Sequence, residues 1–186
     1  MLLVLKTRVR CKQIEERKKT LPSYKRLKMD EIKIEIAKVE DAEDIAKIAY
    51  QVAQLHDEAL PEYFKPVPKE EQLRGIQYML KDEKIVVFKA IYDGKICGFL
   101  FLEMIHRVSQ GLRFSTYGCV LNLGVDEKYR GRGIGAALLM SAEKYVQDKE
   151  GEALDLSVFA FNEKAIRFYK KLGYEVLDVS MRKVLK

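Results

Sequence analysis

The chain has no tryptophan, only three cysteines and two histidines, and four prolines in 186 residues. Cys11, Cys97 and Cys119 are odd in number and widely spaced, so they form neither a disulfide framework nor a zinc pattern. With only His56 and His106 to join them, no metal site is expected. Unpaired cysteines point to a reducing, cytoplasmic setting. No apolar run approaches the roughly 20 residues that cross a bilayer, so no membrane span is expected. The apolar stretch Leu2 to Leu5 precedes the basic residues and is too short for the core of a secretory signal. No internal repeat or low-complexity tract occurs.

Apolar residues make up 48% of the chain, enough for a packed core and against disorder. The net charge of +6 is unevenly spread: residues 1–28 carry ten Lys/Arg and two acidic side chains, which leaves −2 for the rest. The expected organisation is a basic, partly helical extension over 1–29 and one domain over 30–186. A basic arm suits a nucleic-acid or membrane contact. No aromatic or glycine pattern accompanies these charges, so a solvated amphipathic segment, or an upstream extension with Met29 as the natural start, is the preferred reading.

Hydrophobic periodicity outlines the elements. Ile32, Ile34 and Ile36 alternate with Lys33 and Glu35 as in a strand. From Asp41, an N-cap candidate, Ile45, Ile48, Ala49, Val52 and Leu55 recur on one helical face. Pro61, Pro66 and Pro68 break regularity before a second helix from Lys69 to about Leu80. Lys84–Tyr92 and Lys95–His106 are strands joined by Asp93-Gly94, a strong hairpin signal because both central residues must accept positive φ. A polar loop, 107–115, precedes a strand over Tyr117–Val125. A helix after Gly133, a strand over Ala153–Phe161 and a helix over Asn162–Leu172 ended by Gly173 follow. Tyr174–Leu185 supplies one or two last strands. This order predicts an α/β fold: a mixed, mostly antiparallel sheet with helices on both faces and one parallel pair formed by the late strand-helix-strand unit.

The chemistry concentrates between Val120 and Ala136. A strand enters, Gly131, Gly133 and Gly135 permit a sharp turn, and a helix leaves. Such a turn points several N–H groups into one concavity, and the helix start adds its dipole and unpaired donors. Arg130 and Arg132 add positive charge. The result is a seat for a phosphate or pyrophosphate. It is not a P-loop, since Lys-Ser/Thr is absent. Gly131-x-Gly133-x-x-Ala136 fits a dinucleotide fingerprint literally, but the next strand ends in Phe159-Ala160-Phe161-Asn162 without the acidic residue that such a site needs.

Arg130-Gly-Arg-Gly-Ile-Gly135, after a strand ending Leu123-Gly-Val125, resembles the R/Q-x-x-G-x-G/A signature of GNAT-type N-acetyltransferases. A second block, Asn162-Glu-Lys-Ala-Ile-Arg-Phe168-Tyr169-Lys-Lys-Leu-Gly173-Tyr174, is similar to the family's N-x-x-A-x-x-F-Y-x-x-x-G-F/Y segment. The resemblance runs from Ile32 to the C-terminus, and it implies the acyl-CoA N-acyltransferase fold, with acetyl-CoA as acyl donor and no metal. By that resemblance Arg130, Gly131, Arg132, Gly133, Ile134, Gly135 and Ala136 hold the pyrophosphate. Leu123, Gly124 and Val125 bond the pantetheine arm as an added strand would, and the thioester lies between that strand and Ala153–Phe161.

Asn162 matches a pantetheine contact and is equally a helix cap. Tyr169 matches the tyrosine that protonates the departing thiolate, its other reading being a core aromatic. Glu103, in the apolar run Phe99–Ile105, is the candidate base, or else a structural carboxylate. Asn122 is a polar residue in an apolar strand, suited to orienting substrate or water or else to satisfying neighbouring backbone. Cys119 reads as a small core residue. The acceptor side is expected over Leu55–Pro68, with His56, Asp57, Glu58 and Tyr63, and over the loop 107–116.

The expected activity is transfer of acetyl from acetyl-CoA directly to a primary amine of a small molecule or protein, by a monomer or homodimer without a membrane partner. The alternatives are a non-catalytic acyl-CoA-binding module and a nucleic-acid-binding protein that uses the arm.

Overall fold

A computed structural model describes residues 31–107, 111 and 115–185. The basic extension expected over 1–29, with Cys11, lies outside the described residues, as does most of the loop 107–116. The described chain falls into two compact units, one ending at Ser157 and one beginning at Val158.

The first unit holds β1 (Lys33–Ile36), α1 (Ala42–Ala59), α2 (Lys69–Lys81), β2 (Ile85–Tyr92), β3 (Lys95–His106), β4 (Thr116–Val125), α3 (Ile134–Asp148) and β5 (Ala153–Leu156). The sheet runs β1-β2-β3-β4-β5. Every pair is antiparallel except β4 with β5, which is parallel. This is the mixed sheet expected from the element order. The β2–β3 turn takes the predicted hairpin geometry, with positive φ at Asp93 (49°) and Gly94 (69°).

The two sheet faces are covered by different helices. Ile45, Ile48 and Ala49 of α1 and Ile76 of α2 bury against Val87, Phe99 and Phe101. The α1 stripe fades towards its end, and Leu55, expected on that face, is 39% exposed. On the opposite face, α3 buries Ile134, Leu138, Leu139, Ala142 and Val146. Gly118 of β4 sits so close beneath α3 that a Cβ there would come within 2.4 Å of Val146 Cγ2.

Asp41 does stand at the N-cap of α1, but its carboxylate does not cap the helix. It accepts from the Lys38 N–H at 2.7 Å and from Lys89 Nζ at 2.8 Å. Lys89 and Asp41 leave only 12% and 16% of their side chains exposed, so the pair ties α1 to β2 largely out of water.

The second unit contains α4 (Glu163–Lys171). Two expectations fail around it. The strand expected over Ala153–Phe161 stops at Leu156, because its ladder with β4 ends at Val120↔Leu156. Residues 174–185 form no strand. Val176, Leu177, Val179 and Met181 have the residue types of a strand, but all four are exposed. Strand propensity describes the fit to a paired, half-buried surface, and it does not substitute for the pairing.

Candidate functional site

The site begins where β4 departs from regularity. Phe101 pairs with Asn122 and Leu102 with Val120, so Leu121 is an extra residue in β4. Such a bulge bends a strand and increases its twist. The parallel ladder with β5 ends at the same point, at Val120, while β4 continues to Val125. Beyond the bulge β4 therefore has β3 on one side and, among the described residues, no strand on the other.

The direction of its backbone groups follows from one bond. Asp126 N–H donates to Cys97 O at 3.0 Å. Bonded and non-bonded pairs alternate in an antiparallel ladder. Phe99↔Gly124 is then a bonded pair, while Gly98↔Val125 and Leu100↔Leu123 are not. Leu123 and Val125 thus turn their N–H and C=O groups to the open edge, and Arg130 Nε already donates to Val125 O at 3.0 Å. Gly124 bonds towards β3 instead. An added Cβ there would stand 2.5 Å from the Phe99 ring, so this glycine makes room for a core aromatic.

The open edge leads into the glycine turn. A short 3-10 turn, Glu127–Tyr129, is capped by Asp126, whose carboxylate accepts from the Lys128 N–H. Gln51 of α1 clamps the same turn: its Nε2 donates to Asp126 Oδ2 at 3.3 Å and its Oε1 accepts from Glu127 N–H at 3.0 Å. Sequence reasoning missed this pair, because 75 residues separate its members.

Gly131 (φ 75°) and Gly133 (φ 95°) then take the left-handed conformation. No atom lies within 4 Å of a Cβ built on either, so backbone conformation alone requires glycine at both. Gly133 is the N-cap of α3 and offers no side chain to the helix end. The first rung runs from Ala137 N–H to Gly133 O, which leaves the N–H groups of Ile134, Gly135 and Ala136 ahead of the ladder. Arg132 lies over the Tyr129 ring at 5.5 Å. A ring of donors, a helix dipole and two guanidinium groups thus meet at the end of an open strand, an arrangement suited to an anionic group carried on an extended, amide-bearing chain.

The second sequence block forms α4. Asn162 is its N-cap and Oδ1 accepts from Ala165 N–H at 3.1 Å, so the capping reading holds. At the other end Gly173 has φ 89°. Gly173 N–H donates to Lys170 O and Tyr174 N–H to Tyr169 O, which together make a Schellman motif. Its customary apolar contact is present: the Tyr169 and Tyr174 rings meet edge-on at 5.9 Å. Phe168 also packs against Tyr169, with ring centroids 5.2 Å apart. Burial pushes the Tyr169 hydroxyl above the ordinary phenol value, so it stays protonated in neutral and mildly alkaline solution.

In the region expected to take the acceptor, Asp57 and Glu58 line a cleft of about 180 Å³ with Tyr50, Gln54, Pro66 and Val67. His56 is instead stacked on Phe64 at 5.4 Å. Burial holds the His56 ring below its usual pKa, with Asp57 opposing weakly. Tyr63 is 45% exposed. Glu103 is half-buried on the sheet, between Ile85 and Cys119 in register. Burial, and next the charges of Asp155 and Glu103, push the Cys119 thiol up, which disfavours a thiolate there. Asn122, beyond the bulge, lies opposite Phe101 and is half-buried.

Comparison with known proteins agrees with this geometry. The profile described as "Acetyltransferase (GNAT) family" matches residues 52–174. An uncharacterized N-acetyltransferase of Methanocaldococcus jannaschii is 44% identical over 103 residues, which cover 55% of this chain and 45% of that protein. The X-ray structure of a Bacillus halodurans protein, a tetramutant, superposes with a TM-score of 0.77 at 25% identity, covering 82% of this chain and 99% of that one. An aminoglycoside N-acetyltransferase in complex with CoA shares the fold at a TM-score of 0.67 and 17% identity, over 83% of this chain and 95% of that one. The matches span only 42 to 62% of the length of the first curated relatives. The profile covers both blocks, the glycine turn and the Asn162–Tyr174 helix, and on that ground the chain belongs to the acetyltransferase (GNAT) family.

Proposed function

We propose that this chain transfers the acetyl group of acetyl-CoA directly to a primary amine. The observation that carries the reading is the open edge of β4, which runs from the Leu121 bulge straight into a helix start with unpaired N–H groups. The residues present fit acetyl-CoA. Leu123 and Val125 bind the pantetheine amides as a neighbouring strand would. The N–H groups between Arg130 and Ala136 hold the pyrophosphate, with the Arg130 and Arg132 charges beside it. Asn162 has committed Oδ1 to its helix, and its amide nitrogen supplies a further donor.

Bound acetyl-CoA supplies an activated acyl group, and the chain's own groups manage the protons. Glu103, directly or through water, takes a proton from the acceptor ammonium. The amine nitrogen forms a bond to the thioester carbonyl carbon and loses its second proton to solvent, where Glu103 also releases the one it took, and the carbon–sulfur bond breaks with its electron pair on sulfur. Tyr169 gives its hydroxyl proton to that sulfur and regains one from solvent. The net products are the amide, free CoA thiol and one released proton. Such a positioned acid contributes about 10²–10⁴ in rate. Two half-buried or buried thiols, Cys97 and Cys119, suit a reducing cytoplasm.

Release of CoA thiol in the presence of a panel of primary amines tests the proposal. Tyr169→Phe should slow thiol release about 100-fold at neutral pH and leave acetyl-CoA affinity within about threefold. An unchanged rate removes Tyr169 from the mechanism. Acetyl-CoA binding without thiol release on any amine contradicts the transfer reading altogether.

A further inference from the structure

Gln51 stands near the middle of α1 and reaches the turn that follows β4. Its Nε2 donates to Asp126 Oδ2 at 3.3 Å, and its Oε1 accepts from the Glu127 N–H at 3.0 Å. A primary amide meets both demands, because it carries a donor and an acceptor on one carbon. A carboxylate in its place would face the Asp126 carboxylate, and an ammonium would face the Glu127 N–H. Gln51 also has a firm base. Ile48 and Ala49, just before it on α1, are each 2% exposed, so the helix is fixed in the core where Gln51 leaves it.

The segment it holds is open on most sides. Glu127, Lys128 and Arg130 are exposed, and no neighbour stands where a side chain at Gly131 or Gly133 would. Among the described residues, the hydrogen bonds that reach Asp126–Arg130 from the helices covering the sheet both come from Gln51. On the sheet side Asp126 N–H donates to Cys97 O at 3.0 Å. The turn is thus tied between β3 and α1, with the glycine turn at its far end. Asp126 is also a negative charge close to a seat suited to an anion. Lys128 N–H donates to its Oδ1 at 2.9 Å and Gln51 to its Oδ2, so both oxygens are committed and the charge is held towards α1.

We infer that Gln51 is a positioning residue for acetyl-CoA. It sets the turn between the open β4 edge and the α3 start before the ligand arrives, so that both face one molecule together. This rests on the reading of that edge and that helix start as the acetyl-CoA seat. A turn that is already ordered removes the ordering cost from binding, and the difference appears as affinity. No step at the thioester passes through Gln51, so its effect belongs to donor binding.

The test uses the full chain and acetyl-CoA. Calorimetric titration gives Kd, thiol release with a primary amine gives KM and kcat, and urea titration gives the stability midpoint. Gln51→Met keeps length and charge and removes both bonds. It should raise Kd and KM for acetyl-CoA about tenfold, with kcat at saturating acetyl-CoA within about twofold of wild type. Gln51→Glu should weaken binding at least as much, since two carboxylates then meet. Adding Asp126→Asn to Gln51→Glu exchanges donor and acceptor across the contact. The amide nitrogen at position 126 then donates to the carboxylate at position 51, whose other oxygen still accepts from the Glu127 N–H. This double variant has the wild-type charge, and its affinity should return to within about threefold of wild type. A merely structural loss lowers the urea midpoint and the active fraction, hence kcat, without that return. An unchanged Kd in Gln51→Met, or a double variant that binds no tighter than Gln51→Glu, overturns the inference while the wild type's acetyl-CoA seat stands. No binding to the wild type contradicts the inference and the seat together.

Discussion

At the scale of single residues, the glycines of the second half divide by cause. Gly131 and Gly133 are required by φ, since nothing occupies the space a Cβ would enter. Gly124 is required by packing, since the Phe99 ring already occupies it. Substitution should separate the two. Gly124→Ala forces Phe99 from its place, and overpacking of this kind costs about 1–3 kcal/mol. A lower urea midpoint with an unchanged slope would register that cost; a midpoint equal to wild type would show that the ring moves freely. The residue types of the turn were legible in the sequence, because alternating glycines between arginines have a local meaning. The division of labour among them was not, since it depends on which ring or helix lies opposite.

Among the elements, α1 is held at both ends of its contact with the sheet by polar side chains that its apolar pattern does not reveal. Gln51 holds the turn after β4, and Asp41 pairs with Lys89 of β2. Burial pushes the Asp41 carboxyl up, but bonds from Lys89 and from the Lys38 N–H outweigh it and leave the pKa below the ordinary carboxylate value. The native state then binds fewer protons at Asp41 than the unfolded chain, so stability rises with pH across the acid range. The contribution is complete above the unfolded carboxylate pKa of about 4 and is lost as pH falls through the lower native value. Urea midpoints at pH 7 and pH 3 should show a smaller acid loss in Asp41→Asn than in wild type. Lys89→Met, which leaves the carboxylate its Lys38 N–H but no paired cation, should cost about 3 kcal/mol at pH 7. Equal acid sensitivity in wild type and Asp41→Asn would deny the pair this role.

Element order and the β2–β3 hairpin were readable because alternation, helical period and turn chemistry are written locally. The end of β5 was not, because it is decided by a bulge at Leu121 that no residue type marks. Residues 174–185 show the same limit from the other side: apolar alternation was present, and the pairing that would make it a strand was not.

For the whole molecule, the family assignment rests on two blocks about thirty residues apart, and the proposed donor chemistry is concentrated there. The proposed acceptor side draws on residues far apart in the chain, and the neighbours of Glu103 across the sheet, Ile85 and Cys119, are known only from the register. This explains why the family was legible in the sequence and the proposed acceptor side was not. In the proposed function the open β4 edge and the Gly133 helix start together seat acetyl-CoA. Calorimetric titration of acetyl-CoA into the wild-type protein and Gly133→Val tests it most directly, since valine disfavours the left-handed φ that aims the helix donors. Saturable one-to-one binding to the wild type is expected, with affinity weakened by about tenfold or more in a folded Gly133→Val. Equal affinity in the two proteins, or no binding to the wild type, would contradict it.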